Sequence, residues 1–341
     1  MPKTVYLGMS GGVDSSYSAV LLKKQGYDVV GIYMKNWSRD LPGMHCPWAE
    51  DLADAKRVAV NLGIDFRVYD FEKDYKEKVV DYMFREFRAG RTPNPDIMCN
   101  EEIKFGLFYE RALSEGADFI ATGHYARTRD AKLLRAADDN KDQTYFLYRI
   151  SEESLSHALF PIGDLKKPDL KKAAEDFGLD NAYKKESMGV CFVGDDKMED
   201  FLREFIPVEP GPIIDEESGQ EIGTHEGSVF YTIGQRHGLY LGGGLPYYVT
   251  RKDTEKNIVY VSRNLNAPSL WTNTLTLEDA FFRETPPEQV EVRLRHRAPL
   301  ISASYKDNIL KFHSDIKRPA SGQSAVLYDG DLCLGGGIIA D

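Results

Sequence analysis

Cysteine is scarce in this 341-residue chain: Cys46, Cys99, Cys191 and Cys333 are widely scattered and form no CxxC pair. That number and spacing exclude a disulfide scaffold and predict free thiols in a reducing compartment. Long apolar runs are missing as well. None approaches the roughly 20 residues a membrane helix needs, and "MPKTVYLGMS" lacks the apolar region and cleavage site of a signal peptide. A cytoplasmic protein with no membrane partner is expected. Basic charge is not in excess either, and the formal net charge of −11 argues against indiscriminate nucleic-acid binding. A specific RNA partner, met by local Lys and Arg patches, stays compatible with it. Finally, the first turn carries no GxGxxG, which removes a dinucleotide-dependent oxidoreductase from consideration.

What is present reads as globular, with 42% hydrophobic and 28% charged residues, and the length suggests two to three units. "TVYLGM" is β-branched and apolar enough for a buried strand; Tyr17, Val20 and Leu21 then recur at helical spacing until Gly26. "DVVGIYM", a helix over about 49–62, "IDFRVYD", a helix to about Gly90, another through "IKFGLFYERAL" and the strand "DFIAT" continue the alternation. This predicts an α/β fold, a doubly wound parallel sheet whose ligands gather at the carboxyl ends of the strands. Beyond about Asp195 the strand–helix repetition stops, giving way to short alternating runs and Gly/Pro turns. The expected organisation is a catalytic domain over 1–194, a small central β-rich domain over 195–265 and a C-terminal β-barrel over 266–341.

The loop "SGGVDSS" between the first strand and helix exposes consecutive backbone N–H groups beneath a helix N-terminus, a place for an anion. Gly11 and Gly12 allow close approach, and Ser10, Ser15 and Ser16 add hydroxyls. A Walker loop would end in a lysine; here Asp14 stands where a cation is expected. By itself an SGG is more often a sharp turn with capping serines, but the flanking strand and helix reverse that preference. The stretch resembles the signature of the PP-loop ATP pyrophosphatases, which transfer AMP to an oxygen. The resemblance implies that the loop holds the departing pyrophosphate, with Mg²⁺.

Further motifs select the acceptor. "GRTPNPDIMCNEEIKF", "ATGHYA", "DNKDQTYFLY", "ESMGVCFVG", "GQRHGL" and "GQSAVLYDGDLCLGGGII" together resemble the tRNA-specific 2-thiouridylases of the MnmA/TrmU type over nearly the whole chain. That resemblance implies ATP-dependent 2-thiolation of the wobble uridine of tRNAs with Lys, Glu and Gln type anticodons. It further implies a sulfur-carrier protein or cysteine desulfurase as persulfide donor. Gly8, Met9, Ser10, Gly11, Gly12, Val13, Asp14, Ser15, Met34 and Gly123 would line the ATP site. Cys191 would receive sulfur as a persulfide and Cys99 would act as nucleophile. Asp96 is the candidate acid or base at the target base, with Asn94 and Pro95 beside it.

Cys99 also stands out on its residues alone. Pro93 and Pro95 stiffen its approach, and Asp96 precedes it by three as a helix begins, where a thiolate is stabilised. Cys333, in an apolar alternating strand, reads as a buried hydrophobe. Cys46 has no assigned role. For RNA, "VEVRLRHRAP" alternates Val290, Val292, Leu294 and His296 with Glu291, Arg293, Arg295 and Arg297, predicting a strand with a basic face for phosphates. Motif matching adds His124, Lys141, Asp142, Gln143, Arg295, His296 and Gln323 as tRNA contacts. The rivals are a PP-loop ligase or amidotransferase with another acceptor, cluster-dependent sulfur insertion with Asp96 as an oxygen ligand, and a non-catalytic RNA-binding protein. No protein-held metal site is expected.

Overall fold

In a computed structural model that describes residues 1–40, 45–184, 198–242 and 244–340, the N-terminal half is a parallel sheet between helices. Its elements run β1 (Thr4–Gly8), α1 (Val13–Lys24), β2 (Asp28–Lys35), α2 (Trp48–Leu62) and β3 (Asp65–Asp70). There follow α3 (Glu72–Tyr75), a π-helical stretch Lys76–Val80 and α4 (Asp81–Arg88). Next come α5 (Pro95–Met98), a second π-helical stretch Cys99–Leu107, α6 (Phe108–Ser114) and β4 (Phe119–Ala121). A hairpin of β5 (Arg127–Arg129) and β6 (Lys132–Leu134), then α7 (Thr144–Leu147), α8 (Glu152–Ser156), β7 (Ala158–Leu159) and α9 (Lys167–Asp176) complete this half.

The strand order is β3-β2-β1-β4-β7 and every pairing in it is parallel. Because both faces are covered by helices, β1 is buried from Val5 to Gly8 rather than alternating in exposure. The winding reverses between β1 and β4, so the loops leaving these neighbours diverge and open a crevice at their carboxyl ends. Helix α1 starts directly after Gly12, and the chain leaves it through Gly26 at φ 86°.

The β-rich expectation beyond residue 195 omits one helix, α10 (Met198–Phe205). Phe201 and Leu202 are fully buried there, and Phe201 stacks on Phe84 at 5.6 Å. Eight residues are too few for an unaided helix, and packing on the first half supplies what sequence pattern could not signal. The central sheet has β8 (Gly211–Asp215), β9 (Glu221–His225), β10 (Tyr248–Asp253) and β11 (Ile258–Ser262), ordered β10-β11-β8-β9.

The last segment closes into a six-stranded barrel: β12 (Trp271–Phe282), β13 (Gln289–Arg293), β14 (Ile301–Lys306), β15 (Ile309–Lys317), β16 (Ser324–Asp329) and β17 (Leu332–Ile339). Twelve residues let β12 pair with β15 along its first half and with β17 along its second, which closes the ring. The β5–β6 hairpin of the first half adds to this sheet through Leu134 opposite Leu332. Arg283 stitches the same seam, donating to the carbonyls of Tyr148 (2.7 Å), Ile150 (3.0 Å) and Cys333 (2.7 Å). The Cys333 thiol is buried in this seam, and burial raises its pKa to about 11, as befits a core residue rather than a reactive one.

Candidate active site

The loop after β1 is built from backbone. Gly11 has φ +74°, and a Cβ there would lie 2.5 Å from the Asp51 carbonyl oxygen, so only glycine lets α2 pack this close. A Cβ on Gly123, just beyond β4, would meet the Ser15 amide nitrogen at 2.7 Å. The two loops at the switch point thus touch. Ser15 Oγ accepts from the Ser10 N–H at 3.2 Å, and the Ser15 and Ser16 hydroxyls donate to Gly12 O at 3.1 and 2.9 Å. Asn181, which sequence reading missed, donates from Nδ2 to Gly11 O (2.9 Å) and Ser16 Oγ (2.8 Å). Met34 lies over Gly8, where a Cβ would meet its terminal methyl at 2.8 Å, while the Met9 N–H donates to Ile32 O at 2.8 Å. Met9 and Val13 are buried.

All ten residues expected at the ATP site are therefore gathered at the carboxyl ends of β1, β2 and β4. A side-chain-free cradle at the start of a twelve-residue helix fits a phosphate group. The cation missing from the loop is present in space. Lys167, at the start of α9, places Nζ 2.6 and 2.8 Å from the two Asp14 carboxylate oxygens, and the Tyr125 hydroxyl donates to Asp14 Oδ1 at 3.1 Å. Lys184 is held by Asp51 and Asp54 at 2.7 and 2.6 Å beside the same loop. Among the described residues no set of three or more His, Cys, Asp or Glu side chains is arranged to hold a metal. A divalent ion here would depend chiefly on phosphate oxygens, with Asp14 the acidic group at hand.

The second half of the crevice is the segment 91–107. Pro95 occupies the first turn of α5, where its missing N–H costs nothing, and the helix continues through the π-helical stretch that begins at Cys99. Cys99 is buried and packs in the principal core. Burial raises the pKa of Asp96 while the Lys104 charge works against that rise. His124 lies between the two halves. Its Nδ1 is 2.8 Å from Thr122 Oγ1 and its Nε2 is 3.5 Å from Lys104 Nζ. An ammonium only donates, so Nε2 accepts and the hydrogen sits on Nδ1. Burial and Lys104 both lower its pKa far below the ordinary value, leaving a neutral ring.

The barrel braces this segment. The Thr92 N–H donates to Ser321 O at 2.8 Å, and Gln323 Nε2 donates to Thr92 O at 2.9 Å. The Tyr145 hydroxyl donates to Ser324 O at 3.0 Å, tying α7 to β16. Gln323 thus braces the segment, Asn94 immediately precedes α5, and Pro95 is buried.

The expected basic strand is corrected. β13 ends at Arg293, whose side chain turns inward, 4% exposed, and pairs with the fully buried Asp142 at 2.5 Å. Alternation puts Val290 and Val292 in the barrel core, but it cannot say that the opposite face is covered too, and there the buried Asp142 carboxylate draws Arg293 with it. Asp142 also accepts from Thr144 Oγ1 at 3.0 Å and from the Ala136 N–H at 3.1 Å, so it is an internal anchor rather than a surface group. Gln143 Oε1 accepts from the Tyr125 N–H at 2.8 Å. Arg295 and Arg297 lie exposed in the turn after β13. His296 packs on Phe146 at 4.6 Å, and burial with the nearby Arg297 charge lowers its pKa to about 4. The Lys141 charge also acts on His296, and that of Arg295 on Tyr145. Cys46 is buried, its thiol directed to Trp37 O at 3.7 Å. Cys191 lies outside the described residues.

Comparison with known proteins identifies the family. Family profiles match as a tRNA methyl transferase HUP domain over residues 3–195, a tRNA methyl transferase PRC-barrel domain over 199–263 and an aminomethyltransferase beta-barrel domain over 272–339. The tRNA-specific 2-thiouridylase MnmA of Idiomarina loihiensis is 45% identical over 359 residues, covering 99% of this chain and 96% of that one. Its namesake in Photorhabdus laumondii is 44% identical over 356 residues (99% and 97%), and that of Bacillus licheniformis 45% over 353 (99% and 95%). With profiles matching in order and such identity along almost its full length, the chain belongs to the tRNA-specific 2-thiouridylase family.

Proposed function

We propose that this chain replaces the C2 oxygen of a tRNA wobble uridine by sulfur at the expense of ATP. A uracil carbonyl oxygen is a poor leaving group. Attack of that oxygen on the α-phosphorus expels pyrophosphate and turns the oxygen into part of an AMP group. Sulfur then adds at C2 and AMP departs. The sulfur comes as a persulfide on Cys191, loaded by a carrier protein or desulfurase, and either attacks C2 directly or is released as hydrosulfide when Cys99 attacks. In both routes Cys99 displaces the transferred sulfur's bond to Cys191, leaving a Cys99–Cys191 disulfide that an external dithiol reduces. Mg²⁺, when bound with the nucleotide, offsets charge on the phosphates.

The observation that carries this reading is the Gly123–His124 turn. Gly123 abuts Ser15 of the phosphate loop, and His124 reaches Lys104, whose charge acts on Asp96. Such a run of neighbours supports a phosphate cradle and an acid–thiol pair acting on one substrate. A base must leave its stack to enter it, and Lys141, Arg295 and Arg297 at the rim suit the flanking phosphates. Asp96, protonated more readily than an exposed carboxyl, suits a group that passes a proton at the base.

Cys99→Ser and Cys191→Ser should each abolish 2-thiouridine formation while ATP binding persists. Mass spectrometry of nucleosides from tRNA incubated with ATP, Mg²⁺ and a persulfide source reads this. Substantial thiolation by either variant would overturn the two-cysteine scheme.

A further inference from the structure

We propose that Lys167 is the phosphate-binding cation of this site, supplied by α9 rather than by the loop, and that it contacts the departing pyrophosphate. The inference rests on the adenylation reading above and adds a residue to it. A loop offering only backbone N–H groups and hydroxyls meets a triphosphate with partial charges, while the transferred AMP leaves pyrophosphate carrying most of the negative charge. Asp14, two residues after Gly12, adds a full negative charge in the first turn of α1. A compensating full positive charge is needed there, and Lys167 is the lysine whose ammonium lies on Asp14, at 2.6 and 2.8 Å.

Three features single it out. Its side chain is only 8% exposed, and lysine is seldom so buried unless paired. Its backbone is fixed, since the Lys167 N–H donates to Asp138 Oδ2 at 2.9 Å, so the stem is aimed rather than sampling solvent. Its ammonium lies 5.7 Å from the Tyr125 ring centre, and the Tyr125 hydroxyl holds the same carboxylate, giving Asp14 two donors from two elements. The neighbouring lysines are differently engaged: Lys184 faces two carboxylates, and Lys104 faces His124 at the base end. Asp14 therefore holds Lys167 in place at the mouth of the cradle before nucleotide arrives, so little side-chain freedom is lost on binding.

Calorimetric titration of the full chain with Mg²⁺ and either inorganic pyrophosphate or AMP tests the assignment. Lys167→Met should weaken pyrophosphate about 10- to 100-fold, the scale of a lost charge-assisted hydrogen bond, and leave AMP within about twofold. Lys167→Arg should restore most pyrophosphate affinity. If Lys167→Met does not fold, Lys167→Gln, which keeps a donor to Asp14 without the charge, carries the same comparison. Unchanged pyrophosphate affinity, or equal loss for both ligands, overturns the assignment and leaves adenylation standing. A parent chain that binds neither ATP nor pyrophosphate overturns the adenylation reading itself.

Discussion

The two ends of the crevice each hold an aspartate and a lysine, in opposite arrangements. At the phosphate end Asp14 and Lys167 are in direct contact with a tyrosine hydroxyl completing the set. At the Cys99 end Lys104 turns to His124 while desolvation dominates Asp96 and raises its pKa. The first arrangement stores two compensated charges where a polyanion is expected. The second leaves a carboxyl poised to hold a proton where a base is expected. On the proposed reading the same residue types would serve binding in one place and proton transfer in the other, according to whether the lysine sits on the carboxylate or apart from it.

The contrast is broken most severely at Asp96. Asp96→Asn should lower 2-thiouridine formation by about 10²- to 10⁴-fold, the range for a lost acid–base group, with pyrophosphate binding intact. A carboxyl with a raised folded pKa binds its proton more tightly in the native state, so its contribution to stability is full at low pH and is lost as pH rises through the raised value. Asp96→Asn should accordingly melt above the parent at about pH 7, and the gap should close below about pH 4, where the unfolded carboxyl is also protonated. A melting difference independent of pH would remove the raised carboxyl.

At the seam with the barrel lies the Arg293–Asp142 pair, and Arg293→Leu should cost about 3–5 kcal/mol in urea unfolding because it leaves a buried carboxylate with only the more distant Arg135 at 3.9 Å to offset its charge. Loss below about 1 kcal/mol would mean that Asp142 stays satisfied by Arg135, Thr144 and Ala136. The smallest effect is expected from Tyr125→Phe, which removes one donor from Asp14 and should weaken pyrophosphate several-fold, about 0.5–1.5 kcal/mol, without changing thiolation at saturating ATP. Equal impairment of both would show that the two ends are mechanically one.

Much of the nucleotide half was readable because its information is local. β1, Gly11, Gly12 and α1 are consecutive, and the alternation of strand and helix announces where β4 delivers Gly123. What completes the site is remote: Lys167 lies 153 residues from Asp14, and Asn181 lies 170 from Gly11. No periodicity links such pairs. The burial of Arg293 was unreadable for a related reason, since a period of two assigns Val290 and Val292 to the barrel core but does not tell whether the opposite face is covered. Only the partner Asp142, 151 residues earlier, decides that. The hairpin β5–β6 joins the barrel by the same kind of distant pairing.

The hold of Ser321 and Gln323 on Thr92 ties catalysis to the order of synthesis. A chain emerging from the ribosome can finish its nucleotide crevice early, because domains fold as units from the N-terminal side. The segment bearing Asp96 and Cys99 gains its brace only after a residue 231 positions further on has been made. An interrupted chain would thus lack the brace that fixes the segment of Asp96 and Cys99, even with its parallel sheet complete.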